Sequence, residues 1–585
     1  MLNNFDKLSG LGYIKRILFG LLAIISPIFL GFLVWRYSVN VPFWDQWDTP
    51  GKLIVEASQG NLTWEQLMRQ HNESRTLFPN LVFLNLARLT NWNTRFEMLV
   101  TFLLACLVSF NIYRLGKITL NNHWQHLVCF SLANLWIFSP KQYENWLWGF
   151  QGITFISIAA ITTALIVIFS SLPRVIKLIV SSVLSAIATF SFANGLLCWI
   201  IIFPALLLKL FPDKVSKIWL ILGWLTIFST IFTVYLHDYH QPSHSPSLSQ
   251  VITHPLLAVN YYTALLGSPL FSQSLLDSQI KGGVILIIFA CFCGYLWQQR
   301  RNTQLINQFF PWLLIGFYVL LSAGLITAGR MNLGTEFALS SRYITFSTYL
   351  LVTLIYLFAI VLSHVKHRVV LGTIATLLTI LLLLSYKNSL ALGINLFTQI
   401  HYQRVYGKTC LLTINVIEDK ECIAEYIYPE PDKLAKQAHK INQLGLLQPR
   451  LIQNINWQLN NQKLSQENLL KHGEFASLTR AKDNRYVASG WAFALSGQPS
   501  FDAVILAYQV SEQPQKAFAI APLNMKTEDI LGLLLDPKSI KLTWTKTFST
   551  LELPPSESRI TAWAFDTNDA KAYPLKNTQT NKHYD

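Results

Sequence analysis

Charge is what this chain has least of: Asp, Glu, Lys and Arg supply 13% of its 585 residues, against 52% hydrophobic residues. That is about half the charged share of a soluble protein, and the mean hydropathy of +0.35 is correspondingly high. The shortage excludes intrinsic disorder, which needs few apolar residues and much charge. Cysteine is also scarce, at 7, which excludes a disulfide-dense secreted scaffold. Acids are outnumbered by bases, 31 to 46, for a net charge of +15, a balance that in a soluble chain suggests nucleic acid. Here the basic residues stand in short loops between apolar stretches, the pattern of cytoplasmic membrane edges. The chain therefore reads as an integral membrane protein with lipid, not nucleic acid, around it.

Apolar runs long enough, or nearly so, to cross about 30 Å of hydrocarbon number about eleven. They lie near 11–35, 96–113, 124–139, 152–170, 175–191, 195–210, 217–236, 282–298, 309–328, 343–363 and 368–386. Basic residues set the orientation. Lys7, Lys15 and Arg16 precede the first run, and the signal repeats in every second loop at Arg114 and Lys117, Arg174 and Lys177, Lys209, Lys214 and Lys217, Arg300 and Arg301, and Lys366 and Arg368. The N terminus is thus expected in the cytoplasm of a bacterial inner membrane, and the last 200 or so residues outside it. The first run lacks a small-residue cleavage site and reads as a retained helix.

Residues 1–395 accordingly read as an all-α polytopic domain, with a long first outward loop over 36–95. Residues 396–472 read as a helical linker region in which Cys410 and Cys422, the two cysteines of the tail, have the spacing of a local disulfide. From about 473 to 585 short alternating runs, among them RYVASGWAFAL, DAVILAYQV and RITAWAFDT, predict a small all-β, sandwich-like domain. Its repeated Gly490-Trp491-Ala492-Phe493 and Ala562-Trp563-Ala564-Phe565 predict paired strands with buried Trp, and exposed aromatics for carbohydrate are the alternative.

The predicted spans are nearly free of ionisable groups, which argues against a transporter path. Polar residues gather instead at the outward ends. Asp45 and Asp48 follow the first span, bracketed by Trp44 and Trp47; one of them suits a general base whose pKa is lifted by partial burial, or both are solvated acids in an interfacial Trp belt. His71, Asn72, Glu73 and Arg75 form a dense polar knot, of which helix capping accounts for one or two. Gln142, Glu144, Asn145 and Gln151 alternate with Tyr143, Trp146, Trp148 and Phe150, a mixture that suits a sugar's hydroxyls and ring face. Arg330, Arg342 and Tyr343 flank the last outward loop, where guanidinium groups can clamp a phosphate or snorkel to headgroups. His237, His240 and His244 stand in a Pro- and Ser-rich stretch that reads as a loop, and no metal is assigned to them.

With these motifs in view, the chain resembles the GT-C superfamily of polytopic glycosyltransferases, which use polyprenyl-phosphate sugars and include protein mannosyltransferases and aminoarabinose transferases. FWDQWD, HNESR, QYENWLWGFQ and SRY are similar to a bacterial set of uncharacterised membrane proteins related to that superfamily, over roughly residues 10–390. The adjacent acidic pair of many relatives is missing, since Gln46 follows Asp45, and Asp48 or Glu73 is left to supply the second acid. The resemblance implies inverting transfer of a sugar from a polyprenyl-phosphate donor to an extracytoplasmic glycan, lipid or protein. Asp45 would be the base, Asp48, Glu73 and His71 would orient acceptor and base, and Arg330 or Arg342 would hold the leaving phosphate. No cofactor is implied, and no divalent ion is demanded. The rival classes are a polysaccharide polymerase or ligase, a flippase or transporter of envelope glycolipids, and a non-catalytic scaffold.

Overall fold

The computed structural model describes residues 10–209, 214–242, 248–365, 368–461, 472–481, 483–494, 501–524 and 540–581. Lys7, His244 and Lys366 lie outside them. The chain divides into two compact units. The first comprises the residues up to Arg36, Thr63–Val82 and Glu97–Ile394; the second comprises Tyr37–Leu62, Phe83–Phe96 and everything from Asn395 on. The long loop expected at 36–95 is therefore shared between the units.

Hydrocarbon offers backbone amides no partners, so an apolar run within it satisfies its own N–H and C=O groups as a helix. Among the described residues, 8 helices are long and apolar enough to cross a membrane: Phe19–Tyr37, Arg95–Thr119, Gly149–Phe169, Lys217–Leu236, Leu275–Gln298, Thr303–Leu333, Ser341–His364 and Val369–Leu412. Three further predicted runs form the shorter helices His123–Ile137, Arg174–Thr189 and Leu197–Lys209. At 1.5 Å per residue, these reach only about 20–24 Å. The last helix runs unbroken from Arg368 to Leu412, far past the predicted end at 386. Helix Pro255–Gly267, which the hydropathy pattern did not announce, packs backbone to backbone on Leu275–Gln298. A Cβ at Gly282 would stand 1.8 Å from the Thr263 carbonyl oxygen, and one at Gly267 2.0 Å from that of Ser278. Close approach of small residues is the usual means of helix association where no hydrophobic drive operates.

The second unit has one large core in which Trp47, Ile54 and Trp92 join Leu411, Ile423, Leu434, Ile455, Trp563 and Phe565. The disulfide Cys410–Cys422 lies inside it. Among the described residues the β domain has eight strands, numbered β1 Gly473–Ala481, β2 Arg485–Ala494, β3 Ala503–Gln509, β4 Lys516–Asn524, β5 Ile540–Ser549, β6 Ser558–Asp566, β7 Lys571–Pro574 and β8 Gln579–Asn581. They form one continuous antiparallel sheet in the order β8-β6-β3-β4-β5-β2-β1, with β7 on β6. A curled half-barrel thus replaces the expected pair of facing sheets. The corner lies at β4, which pairs along its length with β3 but reaches β5 only through Leu523 and Asn524. The curl brings β1 back towards the far end of the sheet, where the Phe475 N–H donates to the Lys576 carbonyl at 2.9 Å. Inside the curl, Phe475, Ala488, Ala492, Leu542, Trp544, Ala562 and Ala564 form a second core. Gly490 is required there, because a Cβ would stand 2.7 Å from the Trp544 ring.

Candidate functional site

The polar residues singled out in the first unit converge on one cluster, at whose base lies the hairpin Gln70–His71/Ser74–Arg75. Its two-residue turn is Asn72-Glu73, and Asn72 adopts φ 50°, a left-handed conformation that asparagine tolerates better than most residues. Asn72 is thus a turn residue, and Glu73 stands at the tip. The hairpin is held from both sides. Arg75 donates through Nε to the Tyr235 carbonyl at 2.6 Å, through Nη1 to that of Met68 at 2.8 Å, and through Nη2 to that of His237. The Tyr235 hydroxyl donates to the Glu73 carbonyl at 2.6 Å, and the Ser74 hydroxyl accepts the Ala193 N–H at 3.0 Å. Arg75 is therefore a buried brace, fully committed to backbone carbonyls.

So fixed, the Glu73 carboxylate makes a two-pronged ion pair with Arg330: Nη1 to Oε1 at 2.5 Å and Nη2 to Oε2 at 2.8 Å. Arg330 ends one long helix, and Arg342 lies in the first turn of the next. The Arg342 guanidinium is flanked by the rings of Phe337, Tyr343 and Trp148, with centroids 5.3, 5.8 and 5.9 Å away. Cation–π attraction of this kind strengthens as water is removed. Trp148 lies against Phe150 at 6.1 Å, and Phe150 against His71 at 5.0 Å. A chain of contacts thus links His71, Phe150, Trp148, Arg342 and Tyr343.

Glu144 secures the start of the Ser341–His364 helix. Its Oε2 accepts from the Ser341 hydroxyl at 2.5 Å, the Ser340 hydroxyl at 3.2 Å and the Arg342 N–H at 3.3 Å, and its Oε1 lies 3.8 Å from Arg342 Nε. A carboxylate at a helix N-terminus also answers the positive end of the helix dipole. The amides read as sugar ligands are largely used within the fold. The Asn145 side chain donates to the Ser341 and Arg342 carbonyls and to the Thr345 hydroxyl, while Gln142 donates to the Trp136 and Ile137 carbonyls and accepts from Thr345. Both are fully buried, and Gln151 is buried too. They tie the 140–151 segment to the helix that carries Arg342.

Asp45 and Asp48 belong to the second unit. Asp48 is the hub of a polar network, 2.6 Å from Lys52 Nζ, 2.8 Å from the Tyr428 hydroxyl and 3.4 Å from Lys433 Nζ. Burial works against its carboxylate, but the hydrogen bonds from Lys52 and Tyr428 and the two ammonium groups outweigh it and leave the pKa below the usual Asp value. The lifted pKa expected of a base is therefore not found at Asp48. Asp45 opens the short helix Asp45–Asp48 and is half-buried. Before it, Trp44 takes φ 46° and ψ −118°, a conformation costing a bulky residue about 1–3 kcal/mol and typical of functional sites.

Two residues escaped the sequence reading. Glu97, in the first turn of the Arg95–Thr119 helix, is 2% exposed and abuts Gly149, where a Cβ would stand 2.4 Å from its Cβ and 2.7 Å from its Oε2. An acid within an apolar run was the available signal. Lys141 donates to the Ser268 and Leu270 carbonyls at 2.6 and 2.8 Å, and burial, aided by nearby Lys281, pushes its pKa down to about 8. Among the described residues no group of His, Cys, Asp and Glu could hold a metal ion; His237 and His240 serve the hairpin through their carbonyls.

The first unit also contains a cavity of about 750 Å³, lined by Val128, Leu132, Val284, Leu354, Phe358 and Leu382, with Lys281, Ser385 and Asn388 among its few polar groups. Comparison of the chain with protein-family models, with curated proteins and with solved structures returns no match.

Proposed function

We propose that this chain is a membrane glycosyltransferase that moves a sugar, with inversion, from a polyprenyl-phosphate donor to an extracytoplasmic glycan, lipid or protein. On this reading the membrane domain is GT-C-like, with about eleven crossings once the three short helices are counted, and it sits in a bacterial inner membrane with a cytoplasmic N terminus, an orientation that the basic loops support. The observation that carries the proposal is the Glu73–Arg330 pair with Arg342 among its aromatic rings. Two guanidinium groups at the junction of two membrane helices suit a lipid phosphate, and the apolar cavity suits a hydrocarbon chain.

The donor phosphate competes with Glu73 for Arg330. Its arrival releases the Glu73 carboxylate, which then takes the proton of the acceptor hydroxyl; Asp45 is the base that the family resemblance implies, and the variants Asp45→Asn and Glu73→Gln separate the two assignments. The acceptor oxygen bonds to the anomeric carbon as the carbon–oxygen bond to phosphate breaks. The electron pair leaves on polyprenyl phosphate, which the arginines stabilise. General-base assistance is worth about 10²- to 10⁴-fold, so losing the base lowers turnover by that factor.

The test is transfer or release of label from a panel of radiolabelled polyprenyl-phosphate sugars by wild type, Asp45→Asn and Glu73→Gln in liposomes. The expected result is consumption of one donor class by wild type, with one variant reduced at least 100-fold. If wild type consumes no donor, the proposal is wrong; if both variants match wild type, the class stands and the base lies elsewhere.

A further inference from the structure

The repeated Gly-Trp-Ala-Phe and Ala-Trp-Ala-Phe segments receive opposite treatment in the half-barrel. On β6, Ala562 and Ala564 face the interior of the curl, whereas Trp563 and Phe565 point away from it and are buried, 1% and 0% exposed, beneath the helical segments of the second unit. On β2, Ala492 likewise faces the interior, but Trp491 and Phe493, on the opposite face, remain partly exposed. The same pattern thus forms core on one strand and surface on the other.

The surroundings of Trp491 are chemically specific. Its indole N–H donates to Glu474 Oε2 at 3.1 Å, and Asn577 donates to Glu474 Oε1 at 2.9 Å. Phe493 meets the indole edge-on at 4.7 Å, and exposed Lys541 lies 4.2 Å from its ring centroid. Cross-strand pairing sets Thr543 opposite Trp491 and Thr545 opposite Ser489. Thr543, Thr545 and Thr547 recur at alternate positions of β5 and are all exposed, so they share one face of the sheet. An aromatic pair stands at one end of a ladder of hydroxyls, with one carboxylate and one ammonium beside it.

We infer that this face of β1, β2 and β5 is a binding site for a neutral oligosaccharide. An aromatic ring accepts the CH face of a sugar, while hydroxyl, carboxylate, amide and ammonium groups answer its hydroxyls. The charges beside the indole, Glu474 and Lys541, cancel, which matches an uncharged ligand and not a polyanion or an anionic bilayer, whose recognition needs clustered basic residues. The Lys541 ammonium sits at the tip of a long side chain with freely rotating bonds and swings off the indole to admit the sugar ring. The site needs no donor and no turnover, so it stands or falls separately from the transferase reading.

The experiment is equilibrium binding of the full-length protein in nanodiscs to fluorescent gluco-, manno-, galacto- and N-acetylglucosamine hexasaccharides, without any lipid-linked donor. At least one is expected to bind the wild type, and Trp491→Ala to weaken it at least tenfold. Thr543→Lys, a change confined to the exposed face, is expected to do the same with an unchanged melting profile, which separates loss of the site from misfolding. Failure of all four sugars to bind would overturn the inference. So would equal binding by Thr543→Lys, or retention only of polyanionic glycans or anionic vesicles in a manner abolished by salt.

Discussion

If the proposed transferase reading holds, replacing Glu73 by Gln makes the protein hold a lipid phosphate more tightly while turning over more slowly. Arg330 spends its guanidinium fork on Glu73 through two hydrogen bonds of 2.5 and 2.8 Å, and the side chains are 18% and 27% exposed. A charge-assisted interaction of this kind is worth about 1.5–3 kcal/mol, and partial exposure favours the lower end. A phosphate that must displace Glu73 forfeits that energy, so its apparent affinity is lowered by about 10- to 150-fold. Gln keeps one acceptor oxygen and loses the charge, so it restores only part of this, about tenfold. The measurement is binding of a short-chain polyprenyl phosphate to wild type, Glu73→Gln and Arg330→Gln in nanodiscs, alongside transfer rates. Tighter binding and slower transfer in Glu73→Gln, with weaker binding in Arg330→Gln, are expected. Unchanged or weaker binding in Glu73→Gln would refute the competition and leave the ion pair a structural clasp.

Asp502 is buried and accepts from the Thr567 N–H at 2.9 Å and the Thr567 hydroxyl at 2.6 Å; burial pushes its pKa up to about 6. An acid whose folded pKa exceeds its unfolded value contributes stability at low pH that is lost as pH rises from about 4 through 6, here about 3 kcal/mol; Asp502→Asn should flatten that part of the melting-temperature profile, and an unchanged slope would exclude Asp502 as its source. Gly149→Ala drives a methyl group into Glu97, and overpacking of this kind costs about 1–3 kcal/mol; scanning fluorimetry should show a lower melting temperature, and an unchanged one would mean that the Glu97 contact is not rigid. Replacing Cys410 and Cys422 together by Ser opens a loop with sequence separation 12, for an expected loss of about 3 kcal/mol by loop-closure entropy; a chemical-denaturation midpoint equal to that of wild type would show that the bridge constrains nothing the core does not already hold.

Hydropathy and charge alone determined that this is a membrane protein with an all-helical membrane part and an all-β end, because the period and length of apolar runs report directly on the solvent each segment meets. Local chemistry also showed which segments are unusual: every polar cluster from His71 to Tyr343 is visible in the sequence as a departure from its neighbours. What those residues do was decided by tertiary structure. Gln142 and Asn145 look like ligands for hydroxyl groups, but the hydroxyl, Thr345, is their own. Arg75 and Arg330 are equally basic in the sequence; one meets three backbone carbonyls and the other a carboxylate. Asp48 could not be separated from Asp45 until Lys52, Tyr428 and Lys433 were found around it, two of them contributed by residues almost four hundred positions away. The repeated motif predicted paired strands with buried Trp, but β2 and β6 are not neighbours in the sheet, and of the two Trp residues only Trp563 is buried, by the helices of the second unit, a long-range event that no local pattern records. Composition reports the medium a segment lives in, whereas a side chain's role depends on its partner, and partners are brought together only when the chain folds.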